Sequence, residues 1–110
     1  MFIQSRTIVV EKGNADKVVE RFSKEGPIDS MEGLIDISVM VNKSAKESEE
    51  VVVLIRWESE EAWKGWERSD AHIQGHKNSR GQSKPEYVIS TQVSMYEVRA
   101  VKTGKAGTPS

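Results

Sequence analysis

VVVLIRWESEEAWKGWERSDAHIQGH, residues 51–76, changes its period once, and that change decides the architecture. Val51, Val53, Ile55 and Trp57 share one parity, Val52, Leu54 and Arg56 the other. With nearly every position apolar, this predicts a strand in the middle of a sheet. Ser59 then caps a helix whose first turn holds Glu60 and Glu61, where negative charge suits the helix dipole. Ala62, Trp63 and Trp66 give that helix its apolar side. Ser69 and Asp70 break the periodicity and cap a second short helix running to about His76. Residues 57–76 hold all three tryptophans and both histidines of the chain, so any chemistry is expected here.

Working outward, Phe2 to Val10 alternates loosely, with Ile3 and Val9 on one parity, Phe2, Ile8 and Val10 on the other, and a polar middle of Gln4, Ser5, Arg6 and Thr7. This predicts a strand with either one solvated face, the ordinary case, or a middle that lines a cavity. Asn14 can cap a helix with Ala15, Val18, Val19 and Phe22 on one stripe and Asp16, Lys17, Glu20, Arg21 and Lys24 on the other side; Gly26 and Pro27 end it. In residues 34–42, Ile35, Ile37, Val39 and Val41 share one face of a strand, Leu34, Asp36, Ser38 and Met40 the other. The segment 42–50 is a polar hairpin connection, 77–86 a flexible surface loop, and Tyr87 to Arg99 a last strand with Ile89, Val93 and Met95 opposite Val88, Tyr96 and Val98.

The order β-α-β, β-α-β predicts an α+β protomer of ferredoxin-like type: one antiparallel four-stranded sheet with its helices on one face. Residues 1–100 form the single domain, and the polar tail 101–110 is expected to be disordered. The second face of the sheet has many apolar residues and no helix to cover it, which points to a homodimer closing into a barrel.

At 110 residues, 30% charged and with a formal net charge of −1, the chain gives no electrostatic argument for nucleic acid or an anionic membrane surface. It has no cysteine, hence no thiolate nucleophile, disulfide or Cys-based metal site. No leader-like or transmembrane-length apolar run is visible, so a soluble cytoplasmic protein is the expectation.

His72 and His76, four apart, would share a face of a continuous helix. Two nitrogens rarely hold zinc, and there is no HExxH and no third histidine, only Asp70 or a distant carboxylate. His72 is therefore expected to be an exposed helix residue. His76, beside Gly75 at the helix end, can project freely, and a lone imidazole suffices for heme iron because the porphyrin supplies the other four nitrogens. On their own, His76 would be structural and Trp66 core.

The run from Trp66 to His76, WERSDAHIQGH, resembles the W-x9-H pattern of the IsdG-type heme-degrading monooxygenases of the antibiotic biosynthesis monooxygenase (ABM) superfamily. VERF (Val19 to Phe22) resembles that family's first helix, and RWESEEAW (Arg56 to Trp63) its strand-to-helix turn. The resemblance covers roughly residues 2–99. It implies a dimeric α+β barrel with heme, both substrate and cofactor, between helices and sheet. His76 would be the proximal iron ligand, Phe22 a pocket wall, and Trp66 the residue that crowds the ring out of plane and exposes a meso carbon to oxidation. It further implies O2 and an electron-donating reductase, with a linear tetrapyrrole and free iron as products.

One position departs from the pattern. The family has an asparagine on its first strand that donates a hydrogen bond to the distal ligand; here the ungapped register puts Arg6 there. A one-residue shift would put Ser5 in its place, and Gln4 shares a face with Arg6. Arg6 donates but never accepts, which leaves product regiochemistry open. Two other functions fit the same residues. One is cofactor-independent oxidation of an aromatic or quinol, with Trp66 stacking the substrate and His76 as base. The other is a non-enzymatic heme-binding dimer.

Overall fold

Trp57, Val53, Val51 and Val10 are the fully buried side chains around which the chain assembles. The computed structural model describes residues 1–42, 47–79 and 85–107, without the side chains of 75–79 and 107. The elements are β1 (Phe2–Glu11), α1 (Ala15–Ser23), β2 (Leu34–Val41), β3 (Ser48–Trp57), α2 (Glu60–Glu67), α3 (Asp70–Ser79) and β4 (Val88–Glu97). Short 3-10 turns lie at Pro27–Ser30 and Lys105–Gly107.

All four strands pair antiparallel in the order β2-β3-β1-β4. This is the ferredoxin-like arrangement expected from the element order, and β3 is central as its continuous apolar run predicts. Register separates the two faces. Phe2 pairs with Trp57, Gln4 with Ile55, Arg6 with Val53 and Ile8 with Val51, and these residues face the helices. Ile3, Ser5, Thr7 and Val9 point to the opposite, open face, with Val52, Leu54 and Arg56 beside them.

The helices cover the first face unequally. α1 inserts Ala15 and Val18 beside Ile8, Val10 and Val51, with Val19, Phe22, Val39, Tyr87 and Val88 packed around them. This is the stripe read from its period. α2 is set down by Trp63, whose ring lies 5.2 Å from that of Phe2 at an interplanar angle of 34°. Trp63 is thus scaffold, as is Trp57.

Three local expectations are corrected. In β2 the register shifts between Leu34 and Asp36, so Leu34 joins Ile37 and Val39 on the helix side and Ile35 is left 42% exposed; a bulge inserts one residue and breaks strict alternation. A second shift at Val9/Val10 pairs Val10 with Val88 and brings Val88 against the core, away from the Tyr96 side. Residues 77–79, read as loop, continue α3, whereas residues 80–84 of that loop and 43–46 of the hairpin connection lie outside the described residues.

Candidate functional site

The polar middle of β1 has a structural reason that a solvated face alone does not supply. Gln4 is buried, and Arg6 opens onto a cavity of about 430 Å³ between the sheet and the helices. Such a volume lies within the usual range of roughly 300–1,000 Å³ for small-molecule sites. Ile37, Val53 and Ile55 form its aliphatic floor with Arg6; Phe22 and Trp66 are aromatic walls; Ala71 and His72 close one side. The exposed Arg21, Lys24 and Asp29 stand at its mouth with Pro27 of the 3-10 turn.

Trp66, in the last turn of α2, lines this cavity just before the chain breaks. The break lies at Arg68 and Ser69, between α2 and α3. Ser69 joins the two pieces: its hydroxyl donates to the Trp66 carbonyl at 2.7 Å and accepts from the His72 amide at 3.2 Å. It serves as C-terminal lock of α2 and N-cap of α3 at once. Ser59 caps α2 as expected, accepting from the Ala62 amide at 3.2 Å.

His72 is not the exposed residue anticipated. Its side chain is 19% exposed, its Nε2 lies 2.5 Å from Oε2 of Glu67, and its ring meets Trp66 edge-on at 4.9 Å. The reason is the Ser69 turn, which folds the first turn of α3 back against the last turn of α2. His76 follows one helical turn later in α3, with a side chain outside the described residues. Among the described residues no cluster of three or more His, Cys, Asp or Glu could hold a metal ion.

The electrostatics of the cavity are cationic. Burial, then the like charge of Arg21, hold the Arg6 guanidinium below the ordinary arginine value, against the attraction of Glu67. Arginine nevertheless stays charged. Both guanidinium groups approach one ring: Arg21 Cζ is 5.4 Å and Arg6 Cζ 6.0 Å from the Phe22 centroid. Phe22 is therefore both the end of the α1 stripe and a cavity wall. Ser5 faces the open side, paired with Leu54 and Ser94, so the sheet register excludes it from the cavity; Gln4 shares the Arg6 face but does not line the cavity. Arg21 and Lys24, placed by period on the solvated side of α1, belong to the mouth. Their adjacency to Phe22 was the available signal.

The model of the antibiotic biosynthesis monooxygenase family matches residues 1–78. The chain is 61% identical over 104 residues to the heme-degrading monooxygenase HmoA of Bacillus subtilis, covering 94% of this chain and 96% of that one. A heme-degrading monooxygenase of Halalkalibacterium halodurans is 34% identical, over 93% of this chain and 85% of its own. Among solved structures, an antibiotic biosynthesis monooxygenase homologue from Bacillus cereus superposes with a TM-score of 0.82 at 45% identity, covering 94% and 97% of the two chains. The heme degrader MhuD of Mycobacterium tuberculosis, with two hemes in its active site, shares the fold at a TM-score of 0.69 and 20% identity, over 94% and 100%. A family match over most of the chain, together with relatives that align along nearly all of it, establishes that this protein belongs to the antibiotic biosynthesis monooxygenase (ABM) family.

Proposed function

We propose that this protein is a heme-degrading monooxygenase, with residues 1–100 as its single domain and 101–110 as a tail. The observation that carries the reading is the cavity itself: an aliphatic floor and two aromatic walls under a cationic mouth, in a chain 61% identical to a protein named for heme degradation. A porphyrin is a flat apolar plate with carboxylates at one edge. Phe22, Ile37, Val53, Ile55 and Trp66 suit the plate, and Arg21 and Lys24 suit the carboxylates. The lining therefore fits heme in shape and in charge.

When bound, heme supplies both the iron at which O2 reacts and the ring that is opened. The chain's part is placement. His76 on α3 would hold the iron as its proximal ligand. Trp66, its ring edged by His72 and its carbonyl bound by Ser69, would present its indole to the face of the plate and crowd it. Phe22 closes the opposite wall, and Arg6 stands as a hydrogen-bond donor where related enzymes have an asparagine. Electrons come from an external reductase, and the working form is a cytoplasmic homodimer. No helix among the described residues is long and apolar enough to cross a membrane.

Titration of the protein with heme tests the reading. A Soret band saturating near one heme per protomer is expected, bleaching when ascorbate and O2 are added; no band, or oxidation of an aromatic substrate without metal, would overturn it. His76→Ala should lose the ligated spectrum, and full heme affinity in that variant would reject the ligand assignment.

A further inference from the structure

Trp66, Ala71 and His72 line one cavity, although the turn at Ser69 separates the first from the other two. The Ser69 bonds fix where the two helices meet, but not the torsions that aim an indole. The last of those torsions is broad and is settled by what touches the ring. Here His72 touches it: the two rings lie 4.9 Å apart at an interplanar angle of 65°. Edge-to-face pairs of this kind hold a preferred angle, because the positive edge of one ring meets the negative face of the other. An imidazole has the same loose torsion and does not steady a neighbour by itself. Its Nε2, 2.5 Å from Oε2 of Glu67, stops that rotation. Glu67 follows Trp66 in the chain as the last residue of α2, so the side chains close a triangle. Two stand side by side on α2, and His72 of α3 spans them. The contact is partly withdrawn from water, with His72 19% and Glu67 34% exposed, and so is less screened than one on the surface.

We propose that Glu67 and His72 are positioning residues, a strut that sets the angle of the Trp66 indole at the cavity wall and, on the heme reading on which this rests, how far the bound plate is crowded. A plate pressing on a loosely hinged indole turns the indole aside and stays flat. Pressing on a braced one, the plate itself yields. The strut therefore acts on the rate of ring opening, while the apolar floor, Phe22 and the cations of the mouth hold the ligand without it.

Glu67→Leu is the decisive variant, since it leaves both rings in place. Soret decay with ascorbate at saturating heme should slow about tenfold, the rate equivalent of one hydrogen bond to a charged group. Heme Kd should change less than about threefold, the split that marks an interaction used in the reaction and not in binding. His72→Leu should match it, and the double variant should be no slower than either, because both act through one contact. Glu67→Gln keeps an acceptor oxygen but loses the charge that acts on Arg6, so recovery of most of the rate there assigns the effect to the hydrogen bond. In the heme-free protein the Trp66 Nε1–H resonance, identified by its loss in Trp66→Phe, should move and broaden in Glu67→Leu and return in Glu67→Gln. Glu67→Met serves if the leucine variant does not fold. A wild-type rate or an unmoved Trp66 resonance in Glu67→Leu, or losses that add in the double variant, would overturn the strut. If wild type binds no heme, the functional reading falls and the heme-free resonance decides the strut alone: displacement in Glu67→Leu supports it, and an unchanged signal rejects it.

Discussion

A single hydroxyl joins the helix that carries Trp66 to the helix that carries His72. The Ser69 hydroxyl gives the Trp66 carbonyl a second donor beside the Ser69 amide and satisfies one orphan amide of α3, so Ser69→Ala removes two hydrogen bonds at one stroke. A loss of about 1–2 kcal/mol in urea unfolding is expected, with slower ring opening because the turn that joins Trp66 to His72 loosens. Trp66→Phe should retain heme affinity and slow ring opening, since the smaller ring presses less; turnover unchanged from wild type, measured by Soret decay, would make Trp66 packing only. At this scale much was legible. The Ser59 and Ser69 caps follow from residue type and local spacing, whereas the cavity positions of Trp66, Phe22 and Arg6 were readable only through the family resemblance, since residue type alone makes Trp66 and Phe22 core. His72 was not legible, because its partner Glu67 sits across a turn whose geometry no period encodes.

Between elements, two contacts fix how the helices meet the sheet. Gly33, at φ 85°, precedes β2, and a Cβ there would lie 2.5 Å from the Ala62 Cβ of α2. The carbonyl of Gly33 also accepts from the Glu58 amide at 2.7 Å. Gly33→Ala therefore combines a disfavoured φ with a steric clash at the α2 seat. A cost of about 2–4 kcal/mol in chemical denaturation is expected, with weaker heme binding through displacement of Trp66. The start of α1 shows what position alone leaves out. Asn14 occupies the cap position but makes no side-chain cap; Glu49 of β3 instead accepts from the Ala15 and Gly13 amides at 3.1 and 2.6 Å. The residue is 34 positions away from Ala15, so only the β1–β3 register brings it there. These amide bonds hold the Glu49 pKa below the usual glutamate value. The sign follows from linkage: the folded carboxyl binds its proton less readily than the unfolded one, so its contribution is present above the ordinary glutamate range. It is lost as pH falls through the lowered folded value. Melting temperature measured against pH should accordingly fall less steeply in Glu49→Gln than in wild type below that range.

For the molecule as a whole, the open face of the sheet is the unfinished surface. Val52 and Leu54 form a ridge along its centre, and Leu54 pairs with Ser5 on one side and Ser38 on the other. Ser94 stands beyond Ser5, so small side chains leave shallow troughs beside the ridge. Met40 and Tyr96, 40% and 54% exposed, extend the apolar surface towards the edges. Their parity made this face readable from alternation alone, whereas the cavity on the other side needed helix placement that alternation does not contain. In the proposed homodimer a second copy of the chain would supply the complementary surface, ridge into trough, about a two-fold axis. Wild type is therefore expected to sediment as a homodimer, with a melting temperature that rises with protein concentration. Leu54→Glu places a carboxylate in the middle of the ridge, where Arg56 on the same face is already held by Asp36 through both its Nε and Nη2. The variant should sediment as a monomer at concentrations where wild type is dimeric. A dimer in Leu54→Glu as tight as wild type would place the subunit contact elsewhere.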